Sequence, residues 1–207
     1  MANINFSLPN NQTTLLVIDV QVDGTAPFGK AVKERQRELS FLTQMLPKLK
    51  QFISDLKQKG VFIIYSKHIE NEDLVGENTK LLFEKKSLPF GSYQKGDKGS
   101  DIYFLQPDKN DLILEKTTWD LFSNPQLNET LHKKGIENLI ITGAETECCV
   151  FSTVSSAYRE GYNVFIPQDL VRTKDHKIEK YHKPILSLMN NYYGYVLDSN
   201  EILSYVS

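Results

Sequence analysis

Cys148 and Cys149 are the only cysteines among the 207 residues. They stand where an apolar run, Leu139 to Ile141, gives way through the small and polar residues Thr142 to Glu147. A segment of helical spacing follows: Val150, Val154, Ala157 and Tyr158. The pattern is that of a buried strand, a tight turn and a helix that starts at a cysteine. A thiol at a helix N-terminus faces unpaired backbone N–H groups and the positive end of the helix dipole. Both lower its pKa and favour the thiolate. The same N–H groups can stabilise an oxyanion formed when that thiolate attacks a carbonyl. Two more reactive side chains stand at the ends of apolar runs, Asp19 in TLLVIDV (residues 14–20) and Lys116 just after DLILE (residues 111–115). An acid can take the thiol proton and return it to a leaving amine, while a lysine lowers the thiol pKa electrostatically. Each has a plainer alternative: a buried small hydrophobe for Cys149, a turn former or cap for Asp19, a solvated or Glu115-paired cation for Lys116.

The elements that must position these residues alternate strand and helix. Residues 14–20, 61–66, 111–115, 138–142 and 163–167 read as buried strands, with a last strand at 195–197. Residues 31–59 carry an apolar stripe at helical spacing, including Leu42, Leu49 and Leu56, and Pro47 predicts a break there. Residues 125–134, the stretch from Cys149 to Gly161, and 175–191 are the other helices. Pro184 predicts a kink or a later start in the last of these, and Asn200 is read as capping a final turn. Residues 101–106 are read as a short strand or helical turn. The alternation predicts an α/β fold, a doubly wound, mostly parallel sheet with helices on both faces. Parallel strands bring Asp19, Lys116 and Cys149 to one sheet edge, where ligands bind in such folds. Residues 67–100, with Pro89, Gly91 and Gly96, are too long a connection to be filler and predict a lid or binding loop, with Leu81, Leu82 and Phe83 anchoring a short helix.

The length fits one domain spanning residues 1–207, framed by a polar stretch at 1–13. The net charge of −2 is interspersed along the chain, so no basic block points to nucleic acid or an anionic membrane. No apolar run approaches a transmembrane length. The start, MANINFSLPN, has neither the basic beginning nor the apolar core of a secretory signal. Adjacent cysteines cannot staple a loop. The expectation is a cytoplasmic protein with free thiols.

Gly143, Thr146, Cys149 and Val150, spaced as Gly-x-x-Thr-x-x-Cys-Val and followed by Thr153 and Ala157, resemble the nucleophile motif of the isochorismatase-like cysteine hydrolases. The family's aspartate falls on Asp19, its lysine on Lys116, and a phenylalanine that commonly follows the lysine on Phe122. Gly91 to Ile102 resembles the glycine-containing loop before the lysine strand, and Asp169 and His182 match recurrent positions. The resemblance spans roughly residues 12–203. It implies a Rossmann-like three-layer sandwich, an Asp19–Lys116–Cys149 triad, and a cis peptide between Ala144 and Glu145. It also implies an oxyanion hole made by the backbone N–H groups of Cys149 and Glu145. The nucleophilic cysteine separates this chain from true isochorismatases. The stretch YSKHIENEDLVG carries one histidine, His68, where nicotinamidases carry several for a metal, so no metal and no organic cofactor are expected.

The implied activity is cysteine-dependent hydrolysis of an amide-type C–N bond in a small molecule, through a thioester. The alternatives are hydrolysis of a non-amide bond, and a non-catalytic member that binds a ligand or partner. Phe28, Tyr93, Trp119 and Phe122 are candidates to line the substrate site, Trp119 foremost; packing under the long loop is the alternative. Glu145 either lines the pocket or supports it from behind, and Glu147 either caps the helix or meets a surface lysine. Cys148 is read as structural, with a second reactive thiol as the alternative. His68 is read as a packed histidine, His176 and His182 as surface or helix residues. Members of the family are commonly oligomeric, so a homo-oligomer (dimer or tetramer) is expected. Tyr181, Tyr192, Tyr193 and Tyr195 are candidates for its interface or for core.

Overall fold

A computed structural model describes residues 6–88 and 90–207; residues 1–5 of the N-terminal stretch and Pro89 lie outside them. The apolar runs form strands β1 (Thr13–Ile18), β2 (Phe62–His68), β3 (Leu112–Lys116), β4 (Asn138–Ala144), β5 (Asn163–Pro167), β6 (Val171–Arg172) and β7 (Tyr195–Leu197). They build one sheet in the order β3-β2-β1-β4-β5-β7, with every pair of strands parallel. The two-residue β6 pairs with the last two residues of β4, Gly143 opposite Val171 and Ala144 opposite Arg172.

The helices are α1 (Val22–Thr25), α2 (Lys30–Glu34), α3 (Ser40–Gln58), α4 (Glu77–Lys85), α5 (Pro125–Lys133), α6 (Phe151–Arg159), α7 (His182–Tyr192) and α8 (Ser199–Tyr205). Strand residues alternate between two apolar layers, as the two-residue period requires. Leu15, Val17 and Ile63 pack with Leu42, Leu49 and Leu56 of α3 and Ile202 of α8. Leu16, Ile18 and Ile64 pack on the other face with Leu127 of α5, Val154 of α6 and Met189 of α7. The result is a doubly wound α/β sandwich, and among the described residues no helix is long and apolar enough to cross a membrane.

Several elements differ from the reading of the sequence. Helix α3 runs unbroken through Pro47. Thr43 and Pro47 are both exposed, so the carbonyl that the ring leaves without an amide partner is free to face water. Helix α7 takes the later start, so Pro184 falls in its first turn, where no intrahelical N–H is needed. Residues 101–106 contribute only an isolated bridge, Gln21 with Ile102. In α4, Leu81 and Leu82 are exposed and Phe83 alone is buried, stacked 4.8 Å from Phe90. Asn200 lies within α8 rather than at its cap. There the Ser199 amide and hydroxyl donate to Asp169 at 2.9 and 2.8 Å, which gives Asp169 a structural partner at a helix start. Tyr181, Tyr192 and Tyr195 are exposed.

Candidate active site

The strand order reverses between β1 and β4, the two central strands, and the crevice at such a switch point opens beyond their C-terminal ends. Asp19 follows β1 directly and Cys149 lies five residues past β4, while Lys116 ends β3. Close approach of β1 and β4 depends on Gly143, opposite Ile18: a Cβ there would stand 2.2 Å from the Ile18 carbonyl oxygen, and its φ is +109°. That is the physical reason for the glycine in the motif.

Asp19 and Lys116 form an ion pair, Nζ to Oδ2 2.7 Å, with side chains 1% and 0% exposed. Lys116 also donates to the Thr118 carbonyl at 3.0 Å. Ser66 of β2 completes the arrangement: its hydroxyl accepts from the Asp19 amide at 3.0 Å and donates to Asp19 Oδ1. Burial alone would raise the Asp19 pKa, but Lys116, then His68 and Lys174, more than offset it and hold the carboxyl at about 2. Burial would likewise lower the Lys116 pKa, yet Asp19 and then Cys149 push it above the usual lysine value.

The turn after β4 winds as a wide π-type turn, Thr146–Val150, before α6 begins. The peptide between Ala144 and Glu145 is cis. The Glu145 carbonyl accepts from the Cys148 and Val150 amides, both at 3.1 Å, and passes over the Cys149 amide that an α-turn would engage. Thr146 fixes the turn from behind. Its hydroxyl is 3.0 Å from His182 Nδ1, and Arg172 donates to His182 Nε2. Because arginine cannot accept, His182 carries its proton on Nδ1 and donates to Thr146. Burial, then Arg172, lowers the His182 pKa to about 4. His182 is thus the first residue of α7, as one of its two readings had it, and is buried rather than on the surface.

The Cys149 thiol runs against expectation. Its neighbour Cys148, and then burial, raise its pKa well above the ordinary thiol value despite the field of Lys116. Cys149 sits deep in the turn, 6% exposed, where burial and the second thiol both favour the neutral form.

A cavity of about 250 Å³ joins Cys149, Cys148, Asp19, Glu145, Tyr93 and Trp119. Tyr93 is held there by Asp23, whose carboxylate accepts from the Tyr93 amide at 2.8 Å and from the Lys30 amide at 3.0 Å. The Trp119 ring lies 5.0 Å from that of His68. His68 is buried, and its Nε2 is 3.3 Å from Glu70 Oε1 in a geometry too oblique for a hydrogen bond. Burial lowers its pKa despite Glu70. Glu145 points into the cavity and meets Arg37 at 3.0 Å. Burial would raise the Glu145 pKa, but Arg37, then Lys174, holds it below the usual range. Glu147 has neither a lysine nor a capping contact: both carboxyl oxygens are buried without a hydrogen-bond partner. Burial, then Glu145, pushes its pKa up to about 8.

Two pocket candidates fall elsewhere. Phe28, three residues after α1, is 62% exposed with its ring beside that of Tyr103. Phe122 is partly buried against the second apolar layer, 5.9 Å from Tyr162, next to Leu121, whose amide donates to the Thr153 hydroxyl. The residues that the sequence reading missed come from loops: Arg35 and Arg37 after α2, Lys174 after β6, and Lys86 after α4 all reach the cavity. Ser66 carried one visible signal, a hydroxyl in the otherwise apolar strand VFIIYS. Among the described residues no group of three His, Cys, Asp or Glu side chains is placed to hold a metal ion.

The fold and the sequence have counterparts. The chain is 24% identical over 205 residues to the ureidoacrylate amidohydrolase RutB of Yersinia enterocolitica, covering 93% of this chain and 88% of that one. Its fold resembles that of a cysteine hydrolase from Pseudomonas syringae pv. phaseolicola, with a TM-score of 0.81 at 17% identity over 99% of this chain and 98% of the other. It also resembles the fold of N-carbamoylsarcosine amidase from Thermoplasma acidophilum, with a TM-score of 0.73 at 19% identity, covering 91% and 97%. The isochorismatase domain model matches residues 13–201, so the strands, the switch-point crevice and the cysteine turn all fall within it, and the chain belongs to the isochorismatase-like hydrolase family.

Proposed function

We propose that the chain hydrolyses an amide-type C–N bond of a small molecule through a thioester on Cys149. The observation that carries this is a fully buried Asp19–Lys116 pair beside a cysteine that opens onto a small cavity. The substrate class, a carbamoyl or ureido group, draws on the names of the two relatives whose substrates are stated.

Because Cys148 and burial favour the thiol form of Cys149 and Lys116 holds Asp19 acidic, full proton transfer before attack is unfavourable. The proton moves to Asp19 as sulfur bonds to the carbonyl carbon, so negative charge passes to the carbonyl oxygen rather than remaining on sulfur. Lys116 keeps Asp19 ionised and offsets charge in the cluster. The N–H of Cys149, left free of the Glu145 carbonyl, and that of Glu145 are assigned to the oxyanion. The C–N bond breaks as Asp19 returns its proton to the departing ammonia or amine. Water then attacks the thioester, giving a proton to Asp19, which passes it back to the sulfur as the acid leaves.

The test is ammonia release from a panel of primary amides, ureas and carbamoyl compounds by wild type and by C149A, with intact-mass detection of the adduct. Release that disappears in C149A, with an adduct on wild type, is the expected result. No release, together with a Cys149 that iodoacetamide fails to alkylate even at alkaline pH, would overturn the proposal in favour of a non-catalytic binding protein.

A further inference from the structure

The charges around the cavity do not balance. Asp19 is matched by Lys116 at 2.7 Å and Glu145 by Arg37 at 3.0 Å. Glu70 stands 3.7 Å from Arg35, an ion pair too long for a hydrogen bond. Arg35 keeps Nε and Nη2 buried without an acceptor. Lys86 also lines the cavity but is exposed to solvent, so Lys174 is the buried cation left over. It is 3% exposed and lines the cavity, and among the described residues no carboxylate lies within 4.0 Å of its ammonium. Its Nζ sits 5.5 Å from the centre of the Tyr93 ring, on the wall that Asp23 holds in place. Burial would lower the Lys174 pKa, but Tyr93, Glu145 and Asp19 raise it, so the group stays charged. A buried charge without a counterion is costly, and one of the ways to compensate it is an anionic ligand.

We propose that the substrate is a small monocarboxylate, its carboxylate bound by Lys174 and Arg35 while its carbamoyl or ureido carbon faces Cys149. A single negative charge fits the one buried cation left unmatched. A dianion such as a phosphate monoester would add repulsion from Glu70, Glu145 and Asp19, which share the cavity. The cavity, about 250 Å³, lies below the range for drug-sized ligands, so both groups belong to a short molecule. Arginine offers a planar fork that matches a carboxylate, and lysine a point charge beside it. The two are specificity residues, and the inference rests on the hydrolase reading above for the identity of the reacting end.

The test separates the two claims by measuring binding without chemistry. Ureidoacrylate and its methyl ester differ in the charge and in one methyl group, and each is titrated into C149A by calorimetry. The carboxylate is expected to bind at least about tenfold more tightly than the ester, as charge-assisted hydrogen bonds to a buried cation require. That preference is expected to collapse in C149A/K174M, to weaken in C149A/R35Q, and to return in C149A/K174R, with melting curves checking that each variant is folded. Equal binding of acid and ester, no binding of either, or a preference that survives both K174M and R35Q would overturn the inference. None of those results touches the hydrolase reading, which fails instead if no amide or urea releases ammonia and Cys149 is inert.

Discussion

At the scale of single residues, Asp19 and Lys116 hold each other in a place neither could occupy alone. Removing one partner of a buried pair strands the other, at a cost of about 3–5 kcal/mol. D19N is therefore expected to lose both stability, read as a lower urea midpoint, and ammonia release, by roughly 10²–10⁴-fold as for a missing general base. A variant that kept near-normal release would remove Asp19 from the mechanism. Asp19 and Lys116 close apolar runs and Cys149 follows a third across a polar turn, so parallel strands bring all three toward one edge; spacing alone does not single them out from the other charged residues, and the resemblance of the cysteine motif does. The cavity's cations were not. Arg35, Arg37 and Lys174 sit in polar loops where a charged residue carries no periodic signal, and only the folded backbone turns them inward. The raised thiol pKa of Cys149 was equally hidden, because helix-end and lysine effects can be read from spacing while burial and the posture of Cys148 cannot.

At the scale of elements, strands and long helices followed their periodicities, and the deviations come from what a local pattern leaves out. Pro47 lies inside α3 on its solvent face. A proline within a helix costs about 3 kcal/mol relative to alanine, so P47A is expected to stabilise the chain by roughly 1–3 kcal/mol, read by urea unfolding. A P47A that destabilised would mean that the proline fixes a bend α3 needs. Strand β6 escaped notice because two residues have no period; its identity comes only from pairing with the end of β4. The wide turn at Thr146–Val150 escaped for a related reason. Spacing from Val150 onward is helical, but which carbonyl the Cys149 amide meets is settled by the turn itself.

At the scale of the whole molecule, buried titratable groups set how stability varies with pH. His182 is lowered from 6.5 to about 4 and Asp19 from 3.8 to about 2. Both favour the folded state fully above their unfolded values. The His182 contribution is lost as pH falls from about 6.5 to 4, and that of Asp19 as it falls further to about 2. Glu147 acts in the opposite sense. Its value rises from 4.5 to about 8, so its contribution is complete below 4.5 and is lost as pH climbs through 8. Wild type is therefore expected to have a lower urea midpoint at about pH 9 than at about pH 6, and E147Q to show a smaller drop. An unchanged drop in E147Q would assign the alkaline loss to another group.

The position of β3 in the sheet has a further result for the timing of motion. Lys116 belongs to a strand that pairs with β2 alone, and Ile113 in it is 46% exposed, whereas Asp19 and Cys149 follow strands flanked on both sides. Edge segments open at lower free energy than the rest of a fold, in partial unfolding events that amide isotope exchange can resolve. Residues 112–116 should therefore exchange through a smaller opening than residues 138–142 do. Each such opening draws Lys116 away from Asp19, so in mild denaturant the enzyme should fall silent while its central strands are still protected.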